Sequence, residues 1–359
     1  MTVLDLLHHR SGISPEEDTR PEDDQKTLES TVLRVADSFG PAGDFTYTNV
    51  NYDATALIVE RVSETPYETY VAENVFTPAR MADAVVGWEG ADHPEVAVGH
   101  YPWVALGYRP HDEYRPGTEL GGAVTYANID DMAAYVLAHL DGSLVSTEGA
   151  EILRRGPIVN EDFGLEYAGG LFHEPPGIEG APDEFIDFAT QWHDGASQTW
   201  RSDMWFVPEL GLGMVILANG NDNIDPGWIG QLSDNAKLIM SGQEPADVVP
   251  TASPLERASK WLALGLVVAQ VLLAVAWFAT GGRRLIGWIA LGVDLVMLAY
   301  LTLGPTLIGG GLPLSAIMEN PDFEVLIWSA IVLLVWGAVR TVIMFRGRPA
   351  RNDAVTADA

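Results

Sequence analysis

The sequence predicts an α+β domain, an antiparallel sheet with flanking helices, followed by three transmembrane helices. Three observations carry this. Two apolar runs, Met204-Trp205-Phe206-Val207 and Met214-Val215-Ile216-Leu217-Ala218-Asn219, flank a Pro/Gly turn at 208–213, the pattern of a β-hairpin. Several upstream segments space their apolar residues as helices do. After a three-proline linker at 243–254, three long runs are almost free of charge.

Taken in order, Leu4, Leu6 and Leu7 give a short helix one apolar face, and Gly12 ends it. This start lacks the basic residues, apolar core and small-residue cleavage site of a secretion signal. Residues 14–25 are acidic and read as a solvated loop, and 28–39 read as an amphipathic helix. Asn51 is placed to cap a helix over 52–62 that buries Leu57, Ile58 and Val62. Pro66 opens another through about Asn74. Residues 84–120 are loop-rich and aromatic. Gly121-Gly122 leads to Asn128, a cap for a helix over 130–140, where Asp130 and Asp131 complement the helix N-terminus. Residues 163–172 look like one strand, and 225–240 contain a last helix. Before the hairpin, Gln191-Trp192-His193-Asp194-Gly195-Ala196-Ser197 brings an imidazole to the rim of the sheet. Alone, that stretch reads more readily as a buried or surface histidine beside a turn than as one wall of an acyl-transfer site.

Composition narrows the partners. The 359 residues hold 50 acidic and 20 basic side chains, a net charge of −30, and the only lysines are Lys26, Lys237 and Lys260. Nucleic acid needs a basic face, so it is excluded as a partner, as is electrostatic attachment to anionic lipid. The acidic, lysine-poor balance suggests a protein kept soluble in concentrated salt, an expectation that a stability falling with added KCl would end. There is no cysteine, so disulfides and thiolate chemistry are excluded. No His-Glu-x-x-His spacing occurs and the adjacent His8 and His9 cannot share a helix face, so no metal and no cofactor is expected.

The division expected is a hydrolase-like domain over 1–242, a linker over 243–256, and a membrane domain over 257–359. Its spans run about 261–280, 285–308 and 325–345, each long enough for a bilayer core. The second contains Asp294 and Pro305, and the third Arg340. Asp294 is a functional candidate with a packing role equally open, and no second acid in the spans suggests a proton relay. Arg283-Arg284 follow the first span and Arg346, Arg348 and Arg351 the third, whereas Glu319, Asp322 and Glu324 lie between the second and third. The positive-inside rule then places the protein in the cell membrane as a multi-pass chain, C-terminus cytoplasmic and residues 1 to about 250 outside.

Together these pieces resemble the class C β-lactamase and D-alanyl-D-alanine carboxypeptidase group of penicillin-recognising serine hydrolases. Leu6-Leu7-His8-His9-Arg10-Ser11-Gly12 is similar to that family's Leu-Leu-x-His-x-Ser-Gly segment, and Phe45-x-Tyr47-x-Asn49-x-x-Tyr52 to its Tyr-x-Asn motif and the helix behind it. Phe76-x-Pro78-x-x-Met81 resembles its Phe-x-Pro-Leu-Gly-Met, with Ala79-Arg80 in place of Leu-Gly. His193-Asp194-Gly195 resembles the His-x-Gly form of its Lys-Thr-Gly motif. The likeness covers roughly residues 2–240 and implies a helical subdomain beside the sheet. It also implies a small-molecule or peptide-like substrate; oligomeric state stays open. By this resemblance Tyr47 serves as proton acceptor and donor beside the nucleophile, and Asn49 holds the substrate amide. His193 polarises the tyrosine or binds a carboxylate, Gly195 lets substrate align on the strand edge, and the Ala196 N–H is an oxyanion donor. A histidine where the family carries lysine points to an esterase or peptidase-like member.

One departure is central. The family's nucleophile lies in Ser-x-x-Lys, but Asp23, Asp234 and Arg257 stand three residues before the three lysines, so that motif is absent. Two expectations follow: a truncated chain whose natural start lies upstream with the serine and a secretion signal, or a non-catalytic binding or regulatory membrane protein on the same fold. On either, these residues alone are not a competent acyl-transfer enzyme.

Overall fold

The computed structural model describes residues 1–13, 27–87, 90, 93–104, 106–111, 120–161, 164–177, 183–222, 225, 227–307 and 321–346. The loop expected over 14–25 lies outside them, as does most of the segment between the second and third spans. Contacts divide the chain into two units, one of residues 1–101, 110–221 and 227–249, the other of 102–109, 222–226 and 250–359.

In the first unit, α1 (Val3–Leu7) starts with a capping box in which Thr2 and Asp5 bond reciprocally. α2 (Leu28–Arg34) is followed by a 3-10 turn at Ala36–Ser38, so the helix expected over 28–39 is broken near Val35. α3 runs Val50–Ser63 with Asn49, not Asn51, at its N-cap. Its buried side is Val50, Asn51, Asp53, Ala54 and Ala56, whereas Val62 is 80% exposed and Ile58 37%. Long-range polar partners bury the first turns. The Asn51 amide reaches the His9 ring at 3.1 Å, and Asp53 Oδ1 accepts from Gly121 N–H at 3.0 Å and Gly122 N–H at 3.2 Å. The glycines are required there: a Cβ on Gly121 would lie 2.3 Å from Tyr52 O, and one on Gly122 2.6 Å from Asn49 Cβ.

α4 (Tyr67–Val71) passes through a π-turn at Ala72–Phe76 into α5 (Thr77–Ala79). Arg80 then takes a left-handed φ of 63°, the conformation that the glycine of the similar motif would adopt freely. β1 (Val85–Val86) pairs β4 (Thr125–Tyr126). β2 (His100–Trp103) and β3 (Gly107–Pro110) form a separate two-stranded ribbon. α6 (Ile129–Leu140) is capped by Asn128, whose Oδ1 accepts from Asp131 N–H at 2.8 Å. Val71, Phe76, Ala79, Met81, Val86 and Ala138 form the core of this helical part.

α7 (Thr147–Leu153) leads to the main sheet, six antiparallel strands in the order β10-β9-β8-β7-β6-β5. The strands are β5 (Ile158–Asn160), β6 (Leu165–Ala168), β7 (Leu171–Glu174), β8 (Thr190–Ala196), β9 (Arg201–Val207) and β10 (Leu212–Ala218). The single strand expected over 163–172 is two, folded back at Gly169 and Gly170, whose φ values of 61° and 80° suit a two-residue hairpin turn. The period of two along β9 gives the sheet two apolar faces. Met204 and Phe206 pack with Leu171, Val215 and Val136 of α6. Trp205 and Val207 pack with Trp192, Met214, Phe185 of α8 (Asp183–Ile186) and Ala236 of α9 (Trp228–Met240).

In the second unit, three helices are long and apolar enough to cross a membrane: α10 (Pro254–Ala279), α11 (Arg284–Leu307) and α12 (Pro321–Phe345). Each contributes one polar side chain to a single buried node. Gln270 Nε2 donates to Asp294 Oδ1 at 3.1 Å, and the Arg340 guanidinium pairs with Asp294 Oδ2. A Cβ on Gly337 would lie 2.4 Å from Asp294 Oδ2, so that glycine lets α12 approach the carboxylate.

Candidate active site

The His8–Gly12 segment is tied by its backbone to the loop that precedes Tyr47. Gly40 N–H donates to Ser11 O at 2.9 Å, Gly43 N–H to Arg10 O at 3.0 Å and Thr46 N–H to His9 O at 2.8 Å. Gly12, at φ 76°, permits this because Gly40 Cα lies 3.3 Å from where its Cβ would be. The result sets the His9 ring under Tyr47, with ring centroids 4.2 Å apart. Thr48 N–H can only donate, and it reaches His9 Nδ1 at 3.2 Å, so the proton of the neutral ring is assigned to Nε2. That Nε2 is buried and has no hydrogen-bond partner among the described residues. Burial, then the His193 charge, lowers the His9 pKa to about 3.

Around these rings stand Tyr167, 4.8 Å from His9, and Tyr52, 5.2 Å from it. Tyr52 donates its hydroxyl to Leu7 O at 3.1 Å, and burial raises its pKa to about 12. Burial raises Tyr167 further, with the Tyr52 and Tyr47 phenols adding to it. Neither of these two phenols ionises near neutral pH.

His193 closes the group from β8, its ring 6.3 Å from Tyr47 and 6.2 Å from Tyr167. Its Nδ1 lies 2.5 Å from the Asp194 carbonyl oxygen, which can only accept. The proton is therefore assigned to Nδ1, and Nε2 keeps its lone pair. Burial lowers the His193 pKa against the opposing pull of Asp194. Both imidazoles beside Tyr47 are thus neutral at pH 7 and offer hydrogen bonding rather than positive charge.

β8 outruns its neighbour on one side. β7 pairs it at Thr190, Gln191 and Trp192, while His193 to Ala196 are matched only by β9 among the described strands. The β7-side edge of His193, Asp194, Gly195 and Ala196 thus carries backbone groups an extended ligand can pair with. Gly195 faces Ser202 across the ladder, and a Cβ there would fall 2.4 Å from Ser202 Oγ. Ala196 ends the strand and is exposed, and Ser197 N–H closes the following turn onto Trp200 O at 3.1 Å. Asn49 sits two residues after Tyr47, half-buried beside Gly122, and its carbonyl accepts from Tyr52 and Asp53 N–H as α3 begins.

The fold thus brings Tyr47 and His193 together, with Gly195 and Ala196 on the same strand and Asn49 on the same turn as Tyr47. Tyr167 is the ring that sequence reasoning missed. Its signal, an aromatic two residues before Gly-Gly, was there once that pair is read as a hairpin turn. Among the described residues no group of three or more His, Asp or Glu could hold a metal ion.

Comparison with known proteins identifies the family and the fold. The chain is 29% identical over 157 residues to the putative penicillin-binding protein PbpX of Bacillus subtilis, covering 42% of this chain and 38% of that protein. It is 26% identical over 171 residues to a putative D-alanyl-D-alanine carboxypeptidase of Escherichia coli K12, covering 40% of this chain and 39% of that one. It therefore spans well under half the length of these relatives. In fold it is similar to an octameric penicillin-binding protein homologue from Pyrococcus abyssi, with TM-score 0.57, 24% identity, and 70% and 58% of the two chains covered. It is likewise similar to a class C β-lactamase from Rhodobacter sphaeroides, with TM-score 0.52, 17% identity, and 67% and 72% covered. A family model described as Beta-lactamase matches residues 1–228, and with well over half of its length so matched, the chain belongs to the β-lactamase family of serine hydrolases.

Proposed function

We propose that this chain presents the substrate side of a membrane-anchored serine hydrolase that transfers or hydrolyses the acyl group of an amide, ester or β-lactam. The approach of Tyr47 to His193 beside the unpaired edge of β8 carries this reading. An extended substrate adds to that edge, its carbonyl oxygen toward the Ala196 N–H and its amide toward Asn49. His193 Nε2 accepts from the Tyr47 hydroxyl, so the phenol oxygen can take a proton during attack and return it to the leaving group. Substrates reach it outside the cell, with the C-terminus cytoplasmic, as the arginine distribution indicates. Protease protection of residues 1–250 in intact cells would reverse that orientation.

A second reading is favoured by one fact: no Ser-x-x-Lys occurs in these 359 residues. On it the same pocket binds its ligand reversibly, and the protein is a receptor or regulator. Fluorescent penicillin and a fluorophosphonate probe, applied to the full-length gene product in membranes, separate the two. An acid-stable adduct on serine supports the hydrolase. Saturable reversible binding that Tyr47→Phe and His193→Ala weaken supports the receptor. Failure to bind either probe or a peptide ending in D-alanyl-D-alanine overturns both.

A further inference from the structure

We infer that the tip of the β2–β3 hairpin, carrying Trp103, Val104 and Leu106, is a second membrane contact, seated in the lipid headgroup layer beside the start of α10. This rests on α10–α12 being membrane spans, and it adds a surface that the spans themselves do not require.

Two anchors set the hairpin beside the start of α10. Asp225 Oδ1 accepts from Thr251 N–H at 2.8 Å, Thr251 Oγ1 at 2.7 Å and Ala252 N–H at 3.1 Å, just ahead of α10. Tyr108 of β3 lies close enough to Asp222 and Asp225 that their charges add to burial in raising its pKa. Further along, Lys260 Nζ donates to Pro102 O of β2 at 3.2 Å. His111 N–H donates to Gly99 O at 3.1 Å, a register that puts Tyr108 opposite Pro102, so both anchors lie at one level of the hairpin, beside the stretch of α10 from its entry to Lys260. The tip, closed by Leu106 N–H to Trp103 O at 3.1 Å, begins one residue beyond Pro102, beside the last cation before the apolar run that opens at Trp261.

That height carries other marks of an interface. Trp261 is exposed, and Tyr300 of α11 donates its hydroxyl to Ser259 O at 3.1 Å. Tryptophan and tyrosine collect at such levels because their rings are apolar and their polar ends stay wet. Lys260, buried to 7% exposure, gives its amine to the Pro102 carbonyl and so does not leave it bare beside the apolar run. The tip matches this layer: Leu106 is 54% exposed, and no charge appears between His100 and Arg109. With a net charge of −30, contact with lipid has to come from apolar and aromatic insertion.

The chain has no cysteine, so one introduced thiol reports one site. Leu106→Cys, Val62→Cys on α3 and Val268→Cys within α10 are each labelled with an environment-sensitive fluorophore and reconstituted in phosphatidylcholine vesicles. Emission is measured with doxyl lipids bearing the quencher near the glycerol or deep in the chain. The expected result is a blue shift at Leu106→Cys with loss of emission to the shallow quencher, no loss at Val62→Cys, and greatest loss at Val268→Cys to the deep one. A Leu106→Cys label open to aqueous iodide and untouched by lipid quenchers, with Val268→Cys quenched, overturns the proposal. So does one shielded from both, which would mean a protein copy covers the tip. An unquenched Val268→Cys refutes the membrane spans, and the proposal falls with them.

Discussion

Replacing Arg340 by leucine removes the cation from the only ionic node among the described residues of the three helices. Arg340 is 2% exposed, and its partner Asp294 is also held by Gln270 at 3.1 Å. After the substitution a carboxylate remains in a low-dielectric layer with one amide for company. Breaking a buried pair by removing one partner costs about 3–5 kcal/mol, because the stranded charge has lost its compensation. The same figure applies to Asp294→Leu, which strands the guanidinium. Removing both together costs roughly 1 kcal/mol or less, since two leucines suit hydrocarbon as well as a desolvated pair does. A double-mutant cycle, read by unfolding the reconstituted protein in bicelles, should therefore show strong non-additivity: two costly singles and a nearly neutral double. Gly337→Ala probes the node sterically, since its new methyl would meet the carboxylate at 2.4 Å, and should also destabilise. Singles that each cost under about 1 kcal/mol, or a double whose cost equals their sum, would refute the node as the element that locks the bundle.

The first unit allows further checks. Asp203 is buried, its pKa raised to about 6 by desolvation although Ser233 donates to it at 3.1 Å. A raised acid destabilises the fold where it must ionise, so the cost is absent below the ordinary value of 3.8 and complete above about 6. Asp203→Asn should then stabilise by up to about 3 kcal/mol at pH 8 and by little at pH 4 in denaturant titrations. His139 behaves in the opposite sense: burial lowers it to about 4, and its Nε2 has no hydrogen-bond partner among the described residues. The unfolded chain takes that proton first, so its contribution is complete above pH 6.5 and lost on acidification towards pH 4. His139→Phe, which keeps the stack on Phe206, should abolish that acid-side loss, leaving the variant's stability about 3 kcal/mol less diminished than the parent's between pH 7 and pH 4. Asn128→Ala deletes both the cap to Asp131 and a 2.9 Å bond to Asp83, and should cost about 1–2 kcal/mol, visible as a lowered Tm.

What the sequence discloses depends on how far apart the interacting residues lie. Asn128 caps α6 through a residue three positions on, so the cap is legible from composition and spacing alone. The β9–β10 hairpin and the three apolar helices are equally local patterns. The start of α3 is not. Asn51 reads as a helix cap, yet it and Asp53 are fully buried because His9, 42 residues from the first, and Gly121, 68 from the second, supply their hydrogen bonds. The candidate site divides in the same way. Tyr47, Asn49 and His193 stand out as motif residues, but the neutral ring of His9 beneath Tyr47 depends on a backbone ladder between 9–11 and 40–46 that no periodicity announces.

The membrane node shows what is needed to bridge the gap. Asp294 and Arg340 are each conspicuous as charges in apolar runs, but nothing in either run names the other as its partner. Helix direction supplies the missing link. Side chains lean toward the N-terminus of their own helix, and three successive short-linked spans alternate in direction. An acid partway along the second span and a base near the end of the third therefore lean toward one level. A glycine at 337, one turn before Arg340 on α12, then leaves room for the carboxylate. A charge in one span, an opposite charge in the next and a small residue one turn before it together predict a pair, where any one of them predicts nothing.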